Sequence, residues 1–351
     1  MRETVALLLA AAGIVLLSRG TAPAAPALSA TAAAADDGAA AAANLTVLFS
    51  VGGTELWSAS LGGGAAARLV SGDCFTGDLK VDQAAGYALW SCPADGTIRA
   101  LDLASRATAT VVVGARGAMG IALDEQTRTV YWADRAARAL RAARYDLGGG
   151  AAAAANASAA GGAAANGSVA TVFDFGGALD ATPFGLDVSP SSGAWLATAA
   201  GKENGYIVKG PLAGGAFDGG AVGADVVYTT SYTDLFGVVV DEQTDMMYWI
   251  EDRGIADGIY TMKLSRALGD CTTDDSCEEE QFVDLITTHW LAGVWDEQLV
   301  LSADTNAGEV VALALDGDGS VASASAVVSA SETLRCIAYY SPGGRRRRRS
   351  R

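Results

Sequence analysis

A short phrase recurs along this chain. An aspartate closes an apolar run, and a tryptophan follows eight residues later. GIALDEQTRTVYWAD sets Asp124 before Trp132, and FGVVVDEQTDMMYWIED sets Asp241 before Trp249. LKVDQAAGYALWS (Asp82, Trp90) and GLDVSPSSGAWLAT (Asp187, Trp195) keep the same offset. Self-similarity at a period of about 40–50 residues is the mark of stacked supersecondary units, either propellers or solenoids.

Each unit reads as four short runs rich in β-branched and aromatic residues, split by turn residues. The second is GIALD, TVYWAD, ALRAARYD and ATVFDF. Four antiparallel strands per unit make one propeller blade, with the first strand lining a central channel. Asp82 to Asp124 spans 42 residues. Asp124 to Asp187 spans 63, of which residues 148–168 are a low-complexity Ala/Gly tract expected to be a loop insertion. Asp187 to Asp241 spans 54 and Asp241 to Asp296 spans 55, the latter stretched around DCTTDDSCEEE. Five blades thus run from about Asp78 to Ala330.

The remainders complete a sixth. LRCIAYY (334–340) is an inner strand with nothing after it, and TVLFSVG, ELWSASLGG and AARLVSG (46–72) are three strands with no inner strand before them. The expected fold is all-β: a six-bladed β-propeller over 44–341 whose last blade is closed by strands from both termini. Closure of this kind leaves no long exposed edge. The aspartates at the strand-to-turn junction, Asp187 among them, are expected to hold turns. Tyr131, Trp132, Tyr248 and Trp249 are expected to fill the contacts between blades.

TVYWAD and MMYWIED, each following its aspartate-ended strand, resemble the YWTD repeats of low-density-lipoprotein-receptor class B propellers. That family forms six-bladed propellers that bind proteins on one face. The threonine of the motif is replaced by Ala133 in one copy and by Ile250-Glu251 in the other. The EGF-like and transmembrane segments that accompany receptor propellers do not follow, so receptor function is not implied.

Residues 1–30 read as a secretory signal peptide. Arg2 precedes the 13-residue apolar stretch Val5 to Leu17, and Ala22-Pro23-Ala24 or Ala25-Pro26-Ala27 offers cleavage. The stretch falls short of the ~20 residues a membrane span needs. The net charge is −16, and both ends of the chain are net basic, so the body is more acidic still. Such a body repels nucleic acid and anionic lipid. Behind a signal peptide, the five cysteines point to disulfides: Cys271–Cys277 within CTTDDSC, and Cys74–Cys92, with Cys336 the competitor for Cys74, so that one of these last three stays free or bonds between molecules. Asn44, Asn156 and Asn166 head sequons and are candidate glycosylation sites. RRRRRSR closes the chain, and 342–351 is expected to be a disordered tail.

The chain has one histidine, His289, so a zinc site built on several histidines is excluded. A G-x-S-x-G elbow and a phosphate-binding P-loop are both absent. No catalytic or metal-ligating residue is assigned, and no cofactor is required. Ca²⁺ is the one ion the acidic clusters suit, at Asp316-Gly317-Asp318-Gly319-Ser320 or at Asp270, Asp274, Asp275 and Glu278 to Glu280. A D-G hairpin turn and a solvated acidic loop explain these two clusters at least as well.

The sequence therefore reads as a secreted, extracellular, monomeric glycoprotein: a non-catalytic propeller module that binds a protein or a glycan. Its expected binding face carries Asp134, Arg135, Glu203, Tyr232, Glu251, Asp252, Arg253, His289 and Trp290. The competing reading is a calcium-dependent hydrolase or lactonase-like propeller with its site at the channel mouth. Three or four inward carboxylate or amide groups within metal distance would favour it.

Overall fold

The computed structural model describes residues 29–30, 45–62, 64–75, 77–145, 147, 169–212, 223–232, 234–252, 258–269, 280–284, 288–295, 298–305, 307–316, 319, 321–330 and 332–341. Residues 1–28 of the expected 1–30 signal peptide, the sequon residues Asn44, Asn156 and Asn166, the 148–168 tract, Arg253, Cys271, Cys277 and the arginine-rich tail lie outside these residues.

Six antiparallel sheets form the blades of a β-propeller. Blade 1 is Leu79–Asp82, Tyr87–Cys92, Thr97–Asp102 and Thr108–Val113. Blade 2 is Ala118–Asp124, Thr129–Asp134, Ala139–Arg144 and Ala170–Asp174. Blade 3 is Thr182–Ser189, Ala194–Ala200, Gly205–Pro211 and Asp225–Thr230. Blade 4 is Asp234–Asp241, Met246–Asp252, Gly258–Lys263 and Glu280–Asp284. Blade 5 is Thr288–Val294, Leu299–Asp304, Glu309–Leu315 and Val321–Ser329, with Ser29–Ala30 added at its outer edge. In blade 6, Leu334–Tyr340 pairs antiparallel with Thr46–Val51, which continues into Glu55–Ser60 and Ala67–Ser71. Ile337 lies opposite Phe49, and Ala338 opposite Leu48.

The apolar core is a ring of six clusters, one between each pair of neighbouring blades. Strand alternation produces it, because successive side chains point to opposite faces of a blade. Tyr131 packs toward blade 3 while its neighbour Trp132 packs toward blade 1. Tyr248 likewise faces blade 5 and Trp249 faces blade 3. A Tyr-Trp doublet on the second strand therefore fills both flanks of its blade. In blade 6, Val47 and Phe49 face blade 5, whereas Leu48 and Leu56 face blade 1.

The repeated aspartates act as turn staples in three blades. Asp82 accepts from the N–H of Ala85 at 2.8 Å. Asp124 accepts from the N–H of Gln126 at 3.0 Å and from the hydroxyl of Thr127 at 2.7 Å. Asp241 accepts from the N–H of Gln243 at 2.8 Å. Asp187 departs from the expectation. Asp82, Asp124 and Asp241 lie opposite Tyr87, Thr129 and Met246, the first residues of their second strands. In blade 3 that place belongs to Ser189, opposite Ala194, while Asp187 lies opposite Leu196. Asp187 is thus two residues short of the turn and level with Lys80, and Trp195 is not the counterpart of Trp132. The shared offset of eight in blade 3 is a coincidence of spacing.

Cys74 and Cys92 form a disulfide with a Cα separation of 5.5 Å, and Cys336 is a buried free thiol. Burial pushes the pKa of that thiol up to about 12.

Candidate functional site at the channel mouth

The six inner strands run in parallel around the channel and start at one face. That face is the channel mouth, and it also carries the loops between second and third strands. Close approach of the inner strands narrows the channel. A Cβ on Gly120 would lie 2.3 Å from the carbonyl oxygen of Phe184, and one on Gly185 would lie 2.4 Å from that of Phe236. Side chains are excluded at these contacts, so neighbouring backbones touch.

In the throat, Asp78, Lys80 and Met119 meet Phe184, Val238 and Trp290, and the space between them has room for about one water molecule. Asp78 is buried and accepts from the N–H groups of Leu79 at 2.8 Å and Ile121 at 3.1 Å, with the Lys80 ammonium 3.9 Å away. Asp187 accepts from the N–H of Val240 at 2.9 Å. Burial raises the pKa of both carboxyls, while the charge of Lys80 and the backbone donors oppose the rise. Each carboxylate therefore ties its own inner strand to that of the next blade, Asp78 to blade 2 and Asp187 to blade 4. Among the described residues no three His, Cys, Asp or Glu ligand atoms come within metal distance in the throat; the one such set is Asp73, Cys74 and Cys92. Its sulfurs are joined in the disulfide, and Asp73 pairs with Arg99. Of the first calcium candidate, residues 317, 318 and 320 lie outside the described residues, as do Asp270, Asp274, Asp275, Glu278 and Glu279 of the second.

The mouth above the throat is aromatic. Phe184 and Phe236 meet edge to face at 4.9 Å, and both are half-buried. The Arg135 guanidinium lies 5.3 Å from the centre of the Phe184 ring. Trp290 reaches from blade 5 to blade 1, where its indole N–H donates to the carbonyl of Gly77 at 2.9 Å. Tyr232, in the loop entering blade 4, is 40% exposed.

Of the residues expected on this face, Arg135, Glu203 and Tyr232 are exposed, and Trp290 and Asp252 are half-buried. Two are corrected. Asp134 is 2% exposed, accepts from the N–H of Ala137 at 2.8 Å and pairs with Arg141 at 3.1 Å. Glu251 is fully buried and accepts from Thr230 at 2.8 Å, Tyr228 at 3.2 Å and the Trp249 indole at 3.4 Å. Both carboxylates hold loops in place and are not available to a partner. The backbone of His289 lies in the inner strand of blade 5.

Reading from the residues missed Phe184, Phe236, Asp78 and Lys80. The signal for the first two was present as the dipeptide Phe-Gly, repeated in PFGLDVS and LFGVVVD. Aligning blades 3 and 4 on that dipeptide, and not on the aspartate, puts Ser189 at the turn and Asp187 in the throat.

No protein-family model and no curated protein matches the sequence. Solved structures match in fold. A chain of a nidogen/laminin complex shares 14% identity with a TM-score of 0.62, over 84% of this chain and 98% of that one. TolB from Acinetobacter baumannii shares 9% identity with a TM-score of 0.59, over 85% of this chain and 67% of that one. The chain is a six-bladed β-propeller. At these identities the likeness extends to the fold and no further.

Proposed function

We propose that this propeller is a secreted, non-catalytic module of divergent YWTD type that binds an extracellular protein at the channel mouth. One contrast carries the reading: a mouth lined by half-buried aromatic side chains lies over a throat pocket with room for about one water. Small-molecule sites enclose roughly 300–1,000 Å³ and bury most of their ligand. Among the described residues the throat pocket offers too little space for that, whereas Tyr, Trp, Phe and Arg at a rim are the residues enriched where protein partners dock. The Cys74–Cys92 disulfide supports an oxidising compartment. No helix among the described residues is long and apolar enough to cross a membrane.

The hydrolase reading keeps one observation in its favour, the two throat carboxyls with raised pKa values flanking Lys80. Their backbone hydrogen bonds between blades give them a structural task, and the Lys80 ammonium 3.9 Å from Asp78 opposes a second cation beside that carboxylate. A panel of lactones and esters, assayed with and without Ca²⁺, separates the readings. The binding reading expects no turnover. Ca²⁺-dependent turnover that is lost in Asp187→Asn would establish the hydrolase.

A further inference from the structure

We infer that the mouth recognises an acidic side chain set beside an apolar one in the partner, with Arg135 as its clamp. The inference rests on the mouth being the docking face. Arg135 sits in the loop after the second strand of blade 2, and its N–H donates to the carbonyl of Gly117 at 3.0 Å. That bond joins its loop to the one carrying Arg116, and both arginines are exposed. Among the described residues neither guanidinium has an ion-pair partner; Asp134 pairs with Arg141 at 3.1 Å and Asp180 with Arg138 at 2.7 Å.

The Arg135 guanidinium lies over the Phe184 ring, a cation–π contact that uses none of its N–H groups. A guanidinium that no ion pair engages can make bidentate contact with a carboxylate. Phe236, edge-on to Phe184, offers an apolar ledge beside it. The net charge of −16 does not cancel this local attraction, because exposed charges are screened beyond about 8 Å at physiological ionic strength. It sharpens the test instead, since non-specific attraction would favour basic peptides.

The probe is a set of immobilised decapeptide pools, randomised except for one central position fixed as Glu, Gln or Lys, with heparin beads as a separate arm. The proteins are the full chain and its Arg135→Gln, Arg135→Lys and Phe236→Ala variants, each first shown to keep the wild-type near-ultraviolet circular dichroism. The Glu pool is expected to retain the wild type about tenfold better than the Gln pool, as one charge-assisted hydrogen-bond pair allows. Arg135→Gln should abolish that preference, and Arg135→Lys, which keeps the charge but loses the planar fork, should restore only part of it. Equal retention on the Glu and Gln pools, still weakened by Phe236→Ala, would overturn the acidic partner and leave the docking face standing. Retention indifferent to Phe236→Ala, or none on any pool, would remove both. Retention on heparin but on no peptide pool would overturn the proposal in favour of a sulfated glycan.

Discussion

At the scale of single residues, two carboxylates that sequence alone placed on the binding face are internal. Glu251 accepts three hydrogen bonds from Thr230, Tyr228 and Trp249. Glu251→Ala leaves those donors unpaired, and its cost in urea unfolding is expected to be about 1–3 kcal/mol. Exposed Glu203→Ala should stay within about 0.5 kcal/mol. Asp187 makes a prediction about pH. Its carboxyl pKa is raised in the folded protein, so between the ordinary carboxylate value of 3.8 and the raised one the folded state binds more proton than the unfolded state. Its contribution to stability therefore falls as pH rises through that window. The stability of the wild type relative to Asp187→Asn should increase as pH is lowered from 7 toward 4. An unchanging difference across that range would show that the carboxyl is not desolvated.

At the scale of elements, the inner strands are set by what they cannot carry. Gly185→Ala puts a methyl group 2.4 Å from the Phe236 carbonyl and is expected to cost about 1–3 kcal/mol in thermal or urea unfolding. Gly223→Ala, with nothing within 4 Å, should be neutral. The blades themselves were legible because strand period and turn chemistry are local properties, and the Tyr-Trp doublets announced both flanking interfaces. The turn role of Asp82, Asp124 and Asp241 was legible for the same reason. The register of blade 3 was not, because an offset of eight recurs by chance when aspartate and tryptophan are both near a turn. The throat was not legible either. Lys80, Asp78 and Asp187 come from blades 1 and 3 and meet only when the ring closes. The burial of Asp134 and Glu251 depends on partners in neighbouring strands, Arg141 in one case and Thr230 in the other, which a reading of loop position does not reveal.

At the scale of the whole molecule, blade 6 joins the two ends of the ring. Leu334–Tyr340 supplies Leu334 and Ile337 to the interface with blade 5, and Cys336 and Ala338 to the interface with blade 1. Deleting 332–351 should strip the partner from Thr46–Val51, lower the urea midpoint and broaden the transition. An unchanged, cooperative transition would mean that five blades suffice. The account turns most directly on where a partner docks. The decisive measurement is quantitative retention of proteins from extracellular fluid on immobilised wild type, Tyr232→Asp at the mouth, and Lys263→Glu on the opposite face. The account predicts that the set held by the wild type is lost with Tyr232→Asp and kept with Lys263→Glu. Loss with Lys263→Glu and full retention with Tyr232→Asp would contradict it.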